Sequence, residues 1–146
     1  MTSTNVQNNG GGDRNLLRIP VLGNGLRSWS FGLFDCFSDL PTCVLSMCCC
    51  CYVYSRNKQR FVHLETHGVP LRAPPGRYNH DCISYVCLQC CLGAGWGLQA
   101  ISRSDVRRRY GIRGDAFNDV LTSGCCVPCE LVQEHREIQL EESSFY

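Results

Sequence analysis

The chain has 146 residues, of which 44% are hydrophobic and 18% are charged, and its formal net charge is +1. This length and apolar content predict one globular domain. The nearly balanced charge argues against a nucleic-acid-binding protein, so no nucleic-acid partner is expected.

Cysteine is the unusual residue in this composition, with 13 copies. Most of them fall in three clusters, residues 48–51, 87–91 and 125–129, and each cluster contains a Cys-x-x-Cys step. The odd count, and the lack of an apolar signal segment in residues 1–18, favour a reducing compartment over secretion. We therefore expect free, metal-bound or acylated thiols rather than disulfides.

The N-terminal part of the chain, residues 1–27, is predicted to be a disordered tail because Asn, Gly, Ser and Thr dominate it. A cysteine-rich domain is expected over residues 28–140, followed by a short C-terminal tail, residues 141–146. Asp39 and Pro41 are typical of a helix start.

The region after this start holds an apolar segment, residues 42–54, which a basic run over residues 56–60 is expected to end. Residues 61–81 contain several Pro and Gly and are predicted to form a loop. A short strand is predicted within that loop, at Phe61 to Leu64.

The segment Cys82 to Ser102 carries no charged residue over 21 positions, and its apolar residues recur with the period of a helix. This helix is predicted to continue to Tyr110, where Gly111 suits a left-handed cap. Asp115 is predicted to cap the next helix.

The last helix is predicted to start near Pro128, to extend from Cys129 to about Glu141, and to carry an apolar stripe of Leu131, His135 and Ile138. The predicted fold is therefore mainly α, a small cysteine-rich domain of three to four short helices with clustered cysteines.

The cysteine clusters suggest a structural metal site, with zinc as the candidate ion. Two Cys-x-x-Cys pairs can complete a tetrahedral zinc site. Cys126 and Cys129 form the best half-site, because a helix start lowers the thiol pKa. The full set of candidate ligands is Cys126, Cys129, Cys125, Cys87, Cys90, Cys48 and Cys51. The alternative is that these cysteines pack as small apolar residues.

Membrane attachment is the main competing role for the uncharged segments. Cys82 to Ser102 is long enough to cross a bilayer, and Gly93 with Gly97 forms a small-x-x-x-small motif. Leu40 to Ser55 is short for a span, and basic residues flank both segments. We therefore expect peripheral or acylated attachment to the cytoplasmic face of a membrane, with the plasma membrane as the candidate, ahead of a span.

The Cys-Val-Pro-Cys step also resembles a dithiol redox motif, but the βαβ context of such enzymes is missing from the sequence pattern. We therefore expect a protein that is not an enzyme.

Several motifs together carry a family resemblance. They are residues 33–39 with Trp29 and Cys43, the cysteine block near 48, residues 107–114, and Asp119 with Cys125-Cys126-Val127-Pro128-Cys129 and residues 133–137. They resemble the placenta-specific-8 family of small cysteine-rich proteins, which includes cornifelin, plant cadmium-resistance proteins and cell-number regulators. The match covers roughly residues 29–139. One departure is the first block, where many members have Cys-Pro-Cys and this chain has four consecutive cysteines.

The resemblance implies plasma-membrane association and a role in zinc or cadmium movement. We expect a non-catalytic module that binds a structural divalent metal, associates with a membrane and acts in metal tolerance. Two alternatives remain: a homo-oligomeric transporter of divalent metal ions that spans the bilayer through Cys82 to Ser102, and a soluble regulatory adaptor that binds partners through Glu130 to Glu142.

Overall fold

The computed structural model describes residues 11–73 and 79–146. Within these residues the chain forms a 3₁₀ turn, Asp35–Asp39, and six α-helices. The helices are α1 Leu40–Cys48, α2 Cys50–His67, α3 His80–Leu92, α4 Gly95–Tyr110, α5 Ala116–Cys125 and α6 Val127–Ser143. The predicted mainly-α class is confirmed, with more helices than the three or four expected.

Local capping residues start three of these helices. Asp39 accepts a hydrogen bond from the backbone N–H of Thr42 at the start of α1, and Asn79 accepts one from Cys82 at the start of α3. Asp115 does the same for Asn118 at the start of α5. Each carboxylate or amide oxygen satisfies an N–H that the first helical turn leaves unpaired. The predicted caps at Asp39 and Asp115 are confirmed.

The uncharged segment does not form one helix, so the predicted helix from residue 82 to 110 is wrong. Gly93 adopts a left-handed conformation, with φ of 61°, and ends α3 before α4 begins at Gly95. The break also places Gly93 and Gly97 on opposite sides of a turn, so they do not form a contact motif on one helix. Gly111, at φ of 60°, ends α4 as predicted.

The predicted strand at Phe61 to Leu64 is also wrong, because these residues belong to α2. That helix continues through the basic run at residues 56–60 and ends at Gly68, which has a left-handed conformation. Phe61 and Leu64 lie three residues apart, and both are buried on one helix face. Packing of that face therefore outweighs the β-propensity of a short apolar run.

Two apolar clusters on opposite parts of α6 organise the bundle. The first cluster contains residues near the starts of α2, α4 and α6, among them Tyr54, Leu98 and Leu131, and it also contains Tyr85 of α3. The second contains residues near the ends of the same three helices, among them Leu64, Tyr110 and Ile138. The helices α2, α4 and α6 therefore run in the same general direction between the two clusters.

The segment predicted as a tail, residues 1–27, lies partly outside the described residues. From Gly11 onward the chain contacts the end of α6. The N–H of Gly12 donates to Glu141, and the N–H of Asp13 donates to the hydroxyl of Ser144. Arg27 is buried and pairs with Glu137. Isolated bridges connect Arg27 to Val21 and to Ile112.

Candidate thiol site and charge-free pole

The most specific cysteine motif lies at the start of α6. Cys126 is the N-cap residue, Val127 and Pro128 open the helix, and Cys129 lies in its first turn. The fixed φ of Pro128 suits a first helical turn. The structure joins Cys126 and Cys129 by a disulfide, with 5.4 Å between their Cα atoms. The sequence predicted Cys126 and Cys129 as the best metal half-site and predicted no disulfides, so the second of these predictions is wrong at this pair.

Two further cysteines complete a buried group around this disulfide. The Sγ atom of Cys36, in the 3₁₀ turn, lies 3.8 Å from Sγ of Cys129. Cys43, on α1, packs in the same apolar cluster and interacts with the Cys36 thiol. Burial raises the pKa of the Cys43 thiol, and Cys36 and Asp39 raise it further. We call Cys36, Cys43, Cys126 and Cys129 the thiol site.

A second pair of thiols forms between α2 and α3. Burial raises the pKa of Cys51, and its neighbour Cys82 raises it further. Burial also raises the pKa of Tyr85, and the neighbouring Cys50 raises it further. These groups belong to the apolar packing between the two helices, where the rings of Tyr54 and Tyr85 lie 5.1 Å apart.

The other predicted ligands are separated from the thiol site. Cys125, Cys48, Cys87 and Cys90 are free and exposed, and Cys51 is half-buried beside Cys82. Within residues 11–73 and 79–146, no three side chains of His, Cys, Asp or Glu are arranged to hold a metal ion. Of the seven predicted ligands, the structure brings together only the disulfide partners Cys126 and Cys129.

Sequence reasoning missed Cys36 and Cys43 as functional candidates. Both belong to the motif that carries the family resemblance, but neither lies in a Cys-x-x-Cys step. Their occurrence in that motif was the available signal. Their proximity to Cys129 depends on how the 3₁₀ turn and α1 pack against α6.

Three segments of the chain contain no charged residue: residues 40–55, 82–102 and 120–129. The three segments meet at one end of the bundle, in a single apolar cluster that includes Leu45, Tyr85, Leu98 and Val127. We call this end of the molecule the charge-free pole. The ionic residues of α2, α4 and α6 begin beyond it, at Arg56, Arg103 and Glu130.

Large apolar side chains of the charge-free pole remain exposed rather than packed. Leu92 is 74% exposed at the end of α3, and Ile101 is 62% exposed on α4. The exposed set is Leu40, Val44, Met47, Ile83, Val86, Leu92, Trp96, Ile101, Val120 and Leu121. Contiguous patches of exposed apolar residues are typical of interaction surfaces.

No single helix in the described part of the chain combines the length and the apolar composition needed to cross a bilayer. The segments Asp35–Cys48 and Cys50–His67 meet that test only as a pair, which is bent by 117° at its break.

The helix α6 also buries acidic side chains that the sequence analysis did not single out. Glu137 and Glu141 pair with Arg27 and Arg109. Both carboxylate oxygens of Glu130 and of Glu134 are buried without a hydrogen-bond partner. Burial raises the pKa of Glu130 to about 7, and it raises the pKa of Glu134 well above its ordinary value.

The sequence profile of the PLAC8 family matches residues 29–137. The chain is 27% identical over 111 residues to Protein PLANT CADMIUM RESISTANCE 1 of Arabidopsis thaliana, which covers 76% of this chain and 67% of that protein. It is 31% identical over 113 residues to Cell number regulator 11 of Zea mays, which covers 76% of this chain and 63% of that protein.

A third relative, Protein PLANT CADMIUM RESISTANCE 10 of Arabidopsis thaliana, is 27% identical over 133 residues, covering 82% of this chain and 66% of that protein. The chain thus spans about two thirds of the length of these relatives. No solved structure matches it significantly. The matched profile includes the thiol site and the charge-free pole, and the chain belongs to the PLAC8 family.

Proposed function

We propose that this chain is a non-catalytic metal-tolerance module that attaches to the cytoplasmic face of a membrane and binds a divalent metal ion, zinc or cadmium, through cysteine thiolates. The charge-free pole carries the membrane part of the proposal. The names of the cadmium-resistance relatives support the metal-tolerance part.

Insertion into one leaflet accounts for the polarity of the bundle. Transfer of a large apolar side chain out of water is favourable by about 1.5–3 kcal/mol when it is complete. The pole offers such side chains on α1, α3, α4 and α5. The ionic residues of α2, α4 and α6 all lie outside the charge-free pole, toward the other end of the bundle. This is expected of a protein that enters a leaflet without crossing it.

Exposed cysteines at the pole provide sites for acylation. Cys48 is the last residue of α1, Cys49 lies between α1 and α2, and Cys87, Cys90 and Cys91 lie on α3. An acyl chain attached there would add about 0.8 kcal/mol of membrane affinity for each buried CH₂ group. Insertion of the apolar side chains and insertion of the acyl chains would therefore both stabilise membrane attachment at the charge-free pole.

Vesicle flotation of the purified, unacylated chain tests the membrane proposal. With vesicles of phosphatidylcholine and phosphatidylserine, replacing Val44 and Met47 together by Ser should lower the bound fraction about tenfold, because both side chains would leave the leaflet. The matched control replaces Val62 and Val69, which are exposed away from the pole. Equal binding by the two double variants would contradict the proposal.

Metal content tests the second part of the proposal. Reduced protein, purified without added metal and then exposed to zinc, should retain about one equivalent per chain after desalting. Inductively coupled plasma mass spectrometry measures the zinc and, through sulfur, the protein in the same sample. Reduced protein that retains no zinc would contradict metal binding and leave the membrane proposal untouched.

A further inference from the structure

The thiol site brings together cysteines that lie far apart in the sequence. Four cysteines from three parts of the chain converge there: Cys36 from the 3₁₀ turn, Cys43 from α1, and Cys126 with Cys129 from the start of α6. Cys36, Cys43 and Cys129 are almost completely buried, whereas Cys126 is half-buried. Cys126 is therefore the most exposed of the four.

The separation of two sulfurs in this group equals that of two ligands in a tetrathiolate centre. A tetrahedral zinc ion bound at about 2.3 Å separates its sulfur ligands by about 3.8 Å. The Sγ atoms of Cys36 and Cys129 are 3.8 Å apart. Cys126 and Cys129 also have the two-residue spacing that lets both thiolates reach one ion.

The bond between Cys126 and Cys129 keeps this group from acting as a metal site. Both sulfurs are used in the disulfide. Only Cys36 and Cys43 then remain as thiols in the group.

We infer that the Cys126–Cys129 disulfide is the closed, oxidised state of a four-thiolate metal site completed by Cys36 and Cys43, and that reduction opens this site to a soft divalent cation. This inference rests on the metal binding that we propose as a function. It names the cysteines that bind the ion and the redox change that controls binding. Oxidation of the site would release the ion, and reduction would restore binding.

The redox step balances with a dithiol reductant. The reductant gives two electrons and two protons to the Cys126–Cys129 bond, which breaks into two thiols, while the reductant closes into its own disulfide. A divalent cation then displaces the protons of the four thiols and binds the four thiolates. Sulfur ligands select zinc or cadmium over magnesium or calcium.

The start of α6 helps the site to hold negative charge. Cys126 and Cys129 lie at the N-cap and in the first turn, where backbone N–H groups and the helix dipole stabilise thiolates. Buried Cys36 and Cys43 lack this position, so their deprotonation depends on the charge of the bound ion. Both pairs are required for a complete tetrahedral site.

The test uses the full chain with the exposed thiols removed. In the background variant, the exposed cysteines are replaced by Ser; they are Cys48, Cys49, Cys87, Cys90, Cys91 and Cys125. The protein is either left oxidised or reduced with a dithiol that is then removed without oxygen, and both samples are titrated with Cd²⁺. The reduced sample should bind about one Cd²⁺ with thiolate-to-metal absorption, and the oxidised sample should bind none.

A matched pair of substitutions then identifies the ligands. Cys36→Ser in this background should weaken Cd²⁺ binding on the order of a hundredfold, because it removes one of four ligands. Cys82→Ser is the control: Cys82 is as buried as Cys36, at 4% exposure each, but lies outside the thiol site. Circular dichroism checks that both variants keep their helices.

A measurement on the unsubstituted chain does not depend on variants that fold. Cd²⁺ should slow alkylation of Cys126 in reduced protein while Cys125, its exposed neighbour, reacts at the same rate as before. Peptide mass mapping resolves the two positions. Equal slowing, or slowing at neither position, would overturn the assignment.

The outcomes separate this inference from the proposed function. Cd²⁺ binding by the unsubstituted reduced chain but not by the background variant would overturn the thiol site and leave metal binding intact. Equal Cd²⁺ affinity of the Cys36→Ser and Cys82→Ser variants would do the same. Binding by the oxidised background variant would overturn the redox control, and an unsubstituted reduced chain that binds no Cd²⁺ would overturn the proposed metal binding as well.

Discussion

Arg27 and Glu137 form an ion pair that is almost completely shielded from water. Nη2 of Arg27 lies 3.2 Å from Oε2 of Glu137, and the two side chains are 3% and 1% exposed. The backbone N–H and the hydroxyl of Ser30 also donate to this carboxylate. The pair joins the segment before the 3₁₀ turn to α6, across 110 positions of the sequence.

Arg27→Ala should lower the free energy of unfolding by about 3–5 kcal/mol, because it leaves the Glu137 carboxylate buried without its cation. Urea unfolding followed by circular dichroism measures this loss. The control is Asp105→Ala, which removes an exposed pair with Arg108 and should cost about 0–1 kcal/mol. Similar losses in the two variants would contradict the role of the buried pair.

Glu134→Gln should stabilise the protein at alkaline pH. Burial, and next the neighbouring Glu130, raise the pKa of Glu134 well above its ordinary value. The folded protein therefore binds this proton more tightly than the unfolded chain does, and stability is lost as the pH rises through the folded-state pKa. The neutral amide removes that loss, so unfolding at about pH 8 should cost about 1–3 kcal/mol more than in the parent chain.

The gain from Glu134→Gln should shrink as the pH falls toward the ordinary pKa of a glutamate, because the unfolded chain then also takes up the proton that the folded protein already holds. Glu65→Gln, at an exposed position of α2, should change stability little at any pH. Urea unfolding across the pH range compares the variants. Destabilisation by Glu134→Gln at alkaline pH would show that the carboxylate is ionised and favourably bound.

His135 should make the protein sensitive to acid. Burial, followed by Arg60 and Arg56, lowers the pKa of His135 to about 4 from 6.5. The unfolded chain therefore binds a proton that the folded protein rejects, and stability falls as the pH drops from about 6.5 to about 4. This shift corresponds to about 3 kcal/mol.

His135→Gln should remove this part of the acid sensitivity, so the stability of the variant should fall by about 3 kcal/mol less than that of the parent chain over that interval. His80→Gln at an exposed position is the control and should keep the parent slope. Thermal unfolding at several pH values measures the slope. Parallel profiles for the parent chain and His135→Gln would contradict a neutral, buried His135.

Gly111 and Gly124 should respond to alanine in opposite directions. Gly111 ends α4 with φ of 60°, where a side chain costs about 1–2 kcal/mol. Gly124 lies within α5, and a Cβ atom placed there would meet open space. Gly124→Ala should therefore gain up to about 1 kcal/mol from the higher helix propensity of alanine.

Urea unfolding of the two glycine variants measures both effects in the same protein. Each change adds one methyl group, so the comparison isolates the backbone conformation. A stability gain from Gly111→Ala would contradict the left-handed end of α4.

Helix ends were predictable where a single side chain or glycine defines them. Asp39 and Asp115 cap their helices through hydrogen bonds to residues three positions later, and Gly111 supplies a left-handed end. These interactions are local, so the sequence contains them. The end of α3 at Gly93 was missed, because the apolar residues on both sides continue the period of one helix.

The amino-acid sequence by itself determined the mainly-α class, the family and the three charge-free segments, since composition, periodicity and motifs are properties of neighbouring residues. Only the tertiary structure decided which of these residues meet. Cys36 and Cys129 are 93 positions apart and share no spacing rule, but their sulfurs lie 3.8 Å apart because the 3₁₀ turn packs against the start of α6. Packing of α6 against its other neighbours also buries both carboxylate oxygens of Glu134 without a hydrogen-bond partner, which no local pattern of charges on one helix predicts.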